Sequence, residues 1–253
     1  MVQEEHNGGM GGEGAVHIGT SGWNYSHWKD VFYPADLSST GWLQFYADRF
    51  HSVEINSSFY NLPEKKTFEK WKEETPRNFV FSVKASRYIT HMKKLKEPVD
   101  AVKRFIDRVD VLKEKLGPLL FQLPPHWRCN PERLAAFLKL LPRNHLYSFE
   151  FRDESWFREE VYEILRKHDT ALCIYHLSGF ISPKELTADF AYVRLHGPGD
   201  SYEGSYTVEA LAGWAGALSA WRRQGKPVYF YFDNDQRGYA VQNALMLQDM
   251  LQE

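Results

Sequence analysis

Apolar residues fall into eight short β-rich runs, at 16–20, 52–57, 79–86, 118–123, 146–152, 171–176, 190–196 and 228–233. Between most of them the apolar spacing changes to a helical period, over 41–50, 64–72, 98–116, 131–141, 155–168, 207–224 and 238–251. The sixth connection is the exception, with one or two helical turns at most over 183–187. Strands alternating with helices imply right-handed βαβ units and a parallel sheet. Eight such units favour closure, so the pattern predicts an α/β protein of one domain, a TIM-type (β/α)8 barrel. An open doubly wound sheet is the competing arrangement. It would carry a glycine-rich phosphate loop after its first strand, and Gly19-Thr20-Ser21-Gly22-Trp23 lacks that spacing.

The 253 residues match the usual size of such a barrel, about 250. Residues 1–14 hold five glycines in a polar setting and read as a flexible tail, which leaves 15–253 for the barrel. That opening lacks the apolar core of a signal peptide, and no stretch approaches the roughly 20 apolar residues of a membrane span. Cys129 and Cys173 are too few for a disulfide framework, so a reducing cytoplasm is the expected home and no membrane partner is expected. A formal charge of −2 announces no polyanion partner. Local basic clusters at Lys65-Lys66 and at Lys93-Lys94 with Lys96 give nucleic acid only weak support; such runs are mostly solvated surface.

Polar residues recur at the ends of the runs: Glu54 and Asn56, Lys84 and Ser86, Gln122, Glu150 and Arg152, Arg194 and His196, Asp233 and Asn234. Barrel sites form at the carboxyl ends of the strands, where these residues fall. Alternate residues of a strand share a face, so Glu54, Lys84, Glu150, Arg152 and Arg194 can form an inward ring of alternating charge. Buried charges need partners, and one reading is a structural ion network filling the barrel.

The other reading is a site. Glu150 and Glu54 are then acid/base candidates with His196 as a second proton-transfer group. Arg152 and Arg194 clamp an anion, because a guanidinium meets carboxylate or phosphate bidentately. Asn56 and Asn234 orient the ligand, and Tyr60 and Trp23 are among several rings able to wall the cavity. A desolvated Lys84 could form a Schiff base. Beside Glu54 or Glu150, however, its pKa is expected to rise, which favours a salt bridge or phosphate contact. A divalent metal is the one cofactor these residues suggest, with His91, His176, His196 and Asp233 as candidate ligands, although no HxH or HExxH spacing appears. The loops at 196–200 and 234–238 occupy the usual place of a barrel phosphate site, and ordinary turn chemistry explains their glycines and asparagine equally well.

A set of motifs in order also carries a resemblance: Ile18-Gly19-Thr20-Ser21-Gly22-Trp23-Asn24-Tyr25, Val53-Glu54-Ile55-Asn56-Ser57-Ser58-Phe59-Tyr60, Phe81-Ser82-Val83-Lys84, Leu120-Phe121-Gln122-Leu123-Pro124, Glu150-Phe151-Arg152, Tyr192-Val193-Arg194-Leu195-His196-Gly197 and Tyr231-Phe232-Asp233-Asn234. From Val16 onward the chain resembles the YecE-like family, a domain of unknown function (family seventy-two). The resemblance implies a TIM-type barrel and brings no established reaction. It also implies an acidic residue after the sixth strand, where His176 stands here. Together these readings point to a barrel enzyme, a hydrolase or lyase acting on an anionic small molecule. A metal-dependent phosphoesterase or nuclease, and a non-catalytic ligand-binding or scaffold protein, are the alternatives.

Overall fold

Every one of the eight apolar runs becomes a parallel strand in the computed structural model, which describes residues 12–200 and 202–252. The order is β1 (Val16–Thr20), α1 (Trp42–Ala47), β2 (Ser52–Ile55), α2 (Lys65–Glu73), β3 (Val80–Lys84), α3 (Val99–Val109), β4 (Leu116–Gln122), α4 (Pro131–Leu138) and β5 (Tyr147–Glu150). It continues with α5 (Glu159–Lys167), β6 (Thr170–Leu177), the two-residue β7 (Phe180–Ile181), β8 (Ala191–Leu195), α6 (Val208–Arg223), β9 (Val228–Phe232) and α7 (Tyr239–Met250).

The strands pair in the order β1-β9-β8-β6-β5-β4-β3-β2, and β1 returns to β2 through a bridge between Ser21 and Glu54, so the barrel is nearly closed. A hydroxyl from α1 completes this seam. Tyr46 OH accepts from Thr20 N at 2.9 Å and donates to Ser52 O at 3.1 Å. Gly19 lets the two strands come this close, since a Cβ there would stand 2.0 Å from Ser52 O.

Two connections differ from the periodicity. No helix forms over 183–187. Ser178 and Gly179 turn the chain through positive φ into β7, which pairs antiparallel with β6, and the segment beyond stays extended beside β6. Ser182 and Thr187 hold it there: Ser182 N donates to Tyr175 O at 2.9 Å, and Thr187 Oγ1 accepts from Leu172 N at 2.7 Å. The helix expected over 98–116 is α3 followed by a 3-10 segment broken at Lys113 (φ 52°), and β4 already starts at Leu116. Most of the glycine-rich stretch 1–14 lies outside the described residues; within it, Gly14 N donates to Arg222 O at 2.9 Å.

Side chains alternate between two apolar layers along each strand. Val193, Phe230 and Phe149 face the helices in the larger cluster, whereas Leu120, Cys173, Tyr192, Tyr229 and Tyr231 pack inside the barrel. Tyr231 OH bonds Ser52 Oγ at 2.6 Å and Ser82 Oγ at 2.8 Å, and Tyr229 stacks on His17. These tyrosines fill the lower barrel, and the polar strand ends lie above them.

Candidate active site

Arg194, on β8, is fully buried at the centre of the charged layer. Its Nε donates to both Glu54 oxygens at 3.1 and 2.9 Å, Nη1 to Glu150 Oε2 at 2.8 Å, and Nη2 to Asp233 Oδ2 at 2.9 Å and Glu54 Oε1 at 2.8 Å. Glu54 also accepts from Ser21 Oγ and from Tyr192 OH, the latter at 2.7 Å. Arg152, just beyond β5, donates through Nε to Glu150 Oε1 and through Nη2 to His196 Nε2 at 2.9 Å. Its guanidinium lies 4.8 Å from the Tyr175 ring centroid. The inward ring read from strand parity is therefore built, and three carboxylates share two guanidinium groups.

The tautomer of His196 follows from its neighbours. Nε2 faces the Arg152 donor and, at 3.2 Å, Arg194 Nη1, so it must accept and the proton sits on Nδ1. Nδ1 lies 3.0 Å from Asp233 Oδ2, off the line of a well-directed hydrogen bond. Tyr202, in the loop after β8, packs edge-on against this imidazole.

Burial alone pushes the Glu150 carboxyl up, but the charges of Arg152 and Arg194 outweigh it and hold the group well below the ordinary carboxylate range. Asp233 is lowered in the same way, with Arg194 the strongest opponent of burial. Both oxygens of Glu150, the acid/base candidate, are engaged by arginine. The nitrogens of Arg194, the expected anion clamp, are all directed at protein partners.

Lys84 breaks the pattern. The end of β3 brings it inside the barrel with 6% exposure, and Ser58 Oγ pins its carbonyl at 2.6 Å. Its Nζ lies 4.3 Å from the Phe59 ring centroid, and among the described residues no carboxylate reaches it within ion-pair distance. Burial, helped by the charge of Arg194, brings the amine down to about 8 against the attraction of Glu150, Asp233 and Glu54. The upward shift expected from those carboxylates is thus reversed, because Arg152 and Arg194 have already taken them.

The remaining candidates separate. His91 sits half-buried on the π-helical turn Tyr88–Met92, its Nδ1 2.9 Å from Thr90 Oγ1. Burial and the cations Lys84, Arg87 and Arg152 lower it to about 4. His176 bonds Tyr206 OH through Nδ1 at 3.0 Å, apart from the charged layer. Asn234 donates to Gly204 O at 2.8 Å and Asn243 Oδ1 at 2.9 Å, and its own Oδ1 is buried without a partner. Of the proposed metal ligands only His196 and Asp233 meet. Among the described residues no group of three or more His, Cys, Asp or Glu side chains is arranged to hold a metal ion.

Asn56, Trp23 and Tyr60 line a neighbouring cleft of about 300 Å³ with Tyr25 and Trp71. Tyr60 is 72% exposed there, and Asn56 Oδ1 is buried without a partner. The sequence reading missed Ser21, Tyr175 and Tyr202. Tyr175 shares the parity of Cys173 on β6 and could have been found from it; Tyr202 lies in a loop with no periodic signal.

Architecture and site together define a parallel β/α barrel with a buried charge cluster at the carboxyl ends of its strands. The profile described as "Protein of unknown function DUF72" matches residues 17–253, and the chain belongs to that family. It is 28% identical over 275 residues to the UPF0759 protein YunF of Bacillus subtilis, spanning 93% of this chain and 94% of that one. To the UPF0759 protein YecE of Escherichia coli it is 31% identical over 145 residues, 56% of this chain and 50% of that one. The crystal structure of a DUF72 family protein from Thermotoga maritima is similar over 94% of this chain and 100% of that one, with a TM-score of 0.85 at 30% identity. Among the described residues no helix is long and apolar enough to cross a membrane.

Proposed function

We propose that this chain is an enzyme, a lyase or hydrolase, whose barrel mouth binds a small anionic molecule. The observation that carries this reading is a pair of unengaged cationic donors above a network that is otherwise paired. Lys84 Nζ and Arg152 Nη1 have no hydrogen-bond partner among the described residues, while every oxygen of Glu150 and every nitrogen of the Arg194 guanidinium has one. A carboxylate or phosphate supplies what both lack. Glu150 fixes Arg152 for that contact, and Arg152 with Arg194 orients His196 through Nε2.

Proton transfer belongs in this scheme to His91, whose Nε2 is without a partner among the described residues and whose low pKa keeps it neutral at pH 7. The aromatic cleft beside Asn56 accommodates the rest of the ligand. Two cysteines free of any disulfide suit a cytoplasmic setting. Among the described residues no converging ligand set supports the metal-dependent alternative.

Calorimetric titration with pyruvate and with inorganic phosphate tests the reading. Binding that weakens at least about tenfold in Arg152→Gln, the loss of one charge-assisted contact, is the expected result. Equal binding by that variant and the wild type, or no binding of either anion, contradicts it.

A further inference from the structure

We propose that Lys84 is a covalent catalytic residue, forming an imine with an aldehyde or ketone of the substrate. The inference rests on the reading of the mouth as a small-molecule site and selects carbonyl lyase chemistry within it.

A buried ammonium without a counter-ion is costly, and in a folded chain its position asks for a use. Lys84 has the surroundings that amine catalysis needs. Its stem is enclosed by the barrel, its nitrogen rests on the Phe59 ring, and the carboxylates that would keep it protonated are held by Arg152 and Arg194. Its backbone is fixed by Ser58, so the amine is presented from a rigid strand end. The lowered amine pKa supports the same conclusion. At pH 7.5 an amine titrating at about 8 is neutral in roughly a quarter of molecules, and a surface lysine in roughly one in a thousand.

The reaction balances without a redox partner. The neutral amine adds through its lone pair to the carbonyl carbon, the oxygen takes up protons and departs as water, and one net proton remains on the resulting iminium. For a β-hydroxy carbonyl compound, a base removes the hydroxyl proton and the bond between the α and β carbons breaks. An aldehyde leaves, and the electron pair moves to the iminium nitrogen to give an enamine. Protonation of the α carbon and addition of water then release the second carbonyl product and restore the amine. His91 at the mouth is placed to carry the proton, and Arg152 Nη1 to hold an acidic substituent of the substrate.

The test is reductive trapping of the full-length protein with pyruvate and sodium cyanoborohydride at pH 7.5, read by intact mass and peptide mapping. One adduct per chain at Lys84 is expected, forming roughly 200-fold faster than at surface lysines, in proportion to neutral amine. Lys84→Arg, which keeps the cation, should lose it. Labelling spread evenly over surface lysines, or an unmodified Lys84 in protein whose folding is verified by circular dichroism, overturns the inference. The anion reading fails separately. If pyruvate binds calorimetrically but is not trapped, the anion site stands and the imine does not. If trapping occurs at Lys84 and is unaffected by Arg152→Gln, the imine stands and the assigned anion contact does not.

Discussion

At the scale of single residues, Lys84 and Glu150 are opposite cases of one electrostatic rule. Lys84 is lowered from 10.5 to about 8, so it holds its proton less tightly in the folded chain than in the unfolded one. That disfavours folding by about 3 kcal/mol at any pH below about 8, and the cost fades as pH rises toward 10.5. Lys84→Met should therefore be more stable than the wild type in urea denaturation at pH 7, by about 3 kcal/mol, with the gain gone above pH 10.5. Equal or lower stability at pH 7 would mean that the ammonium has a partner. Glu150 behaves in the reverse sense, since its folded pKa is depressed. Its stabilisation is complete above the unfolded carboxyl value and is lost as pH falls through the folded one. Glu150→Gln leaves Arg152 and Arg194 short of an anion and should cost about 3–5 kcal/mol near neutrality, shrinking on acidification. A variant as stable as the wild type at pH 7 would show the ion pairs to be energetically idle.

At the scale of elements, the β1–β2 seam is held by α1 as well as by the Ser21–Glu54 bridge. Tyr46→Phe removes the hydroxyl that serves Thr20 N and Ser52 O, two buried backbone groups, and should destabilise by about 2 kcal/mol or more. A shift below about 0.5 kcal/mol in urea denaturation would show that β1 and β2 pair without it. Much of this architecture was legible in the sequence. Strands with apolar residues on both faces stand out as runs, and polar residues of one parity at their ends identify the inward face: Glu54, Lys84, Glu150, Arg152 and Arg194 do point into one layer. The β7 hairpin was not legible. Two residues of strand carry no period, and Ser182 and Thr187 act through individual hydrogen bonds that a periodic pattern does not register. The roles of the polar residues were only partly legible, because they depend on which partners are already engaged. Arg194 reads as a clamp, and three carboxylates surround it; Asn234 reads as a ligand group, and Gly204 and Asn243 accept from its amide.

At the scale of the molecule, a tyrosine-filled lower barrel supports a charge layer, in which Lys84 Nζ and Arg152 Nη1 have no hydrogen-bond partner among the described residues. That arrangement explains how charged groups persist inside one core: Arg194 pairs with carboxylates from other strands, so the network also ties β2, β5, β8 and the end of β9 together. Lys84 stands outside this neutralisation, and the functional proposal depends on it. The most direct measurement is an NMR titration of the Lys84 ε-methylene in protein carrying ¹³C-lysine, assigned by comparison with Lys84→Arg. A midpoint near the value of about 8 is predicted. A midpoint at the ordinary lysine value of about 10.4 would contradict the account, since it would show the amine to be solvated or paired.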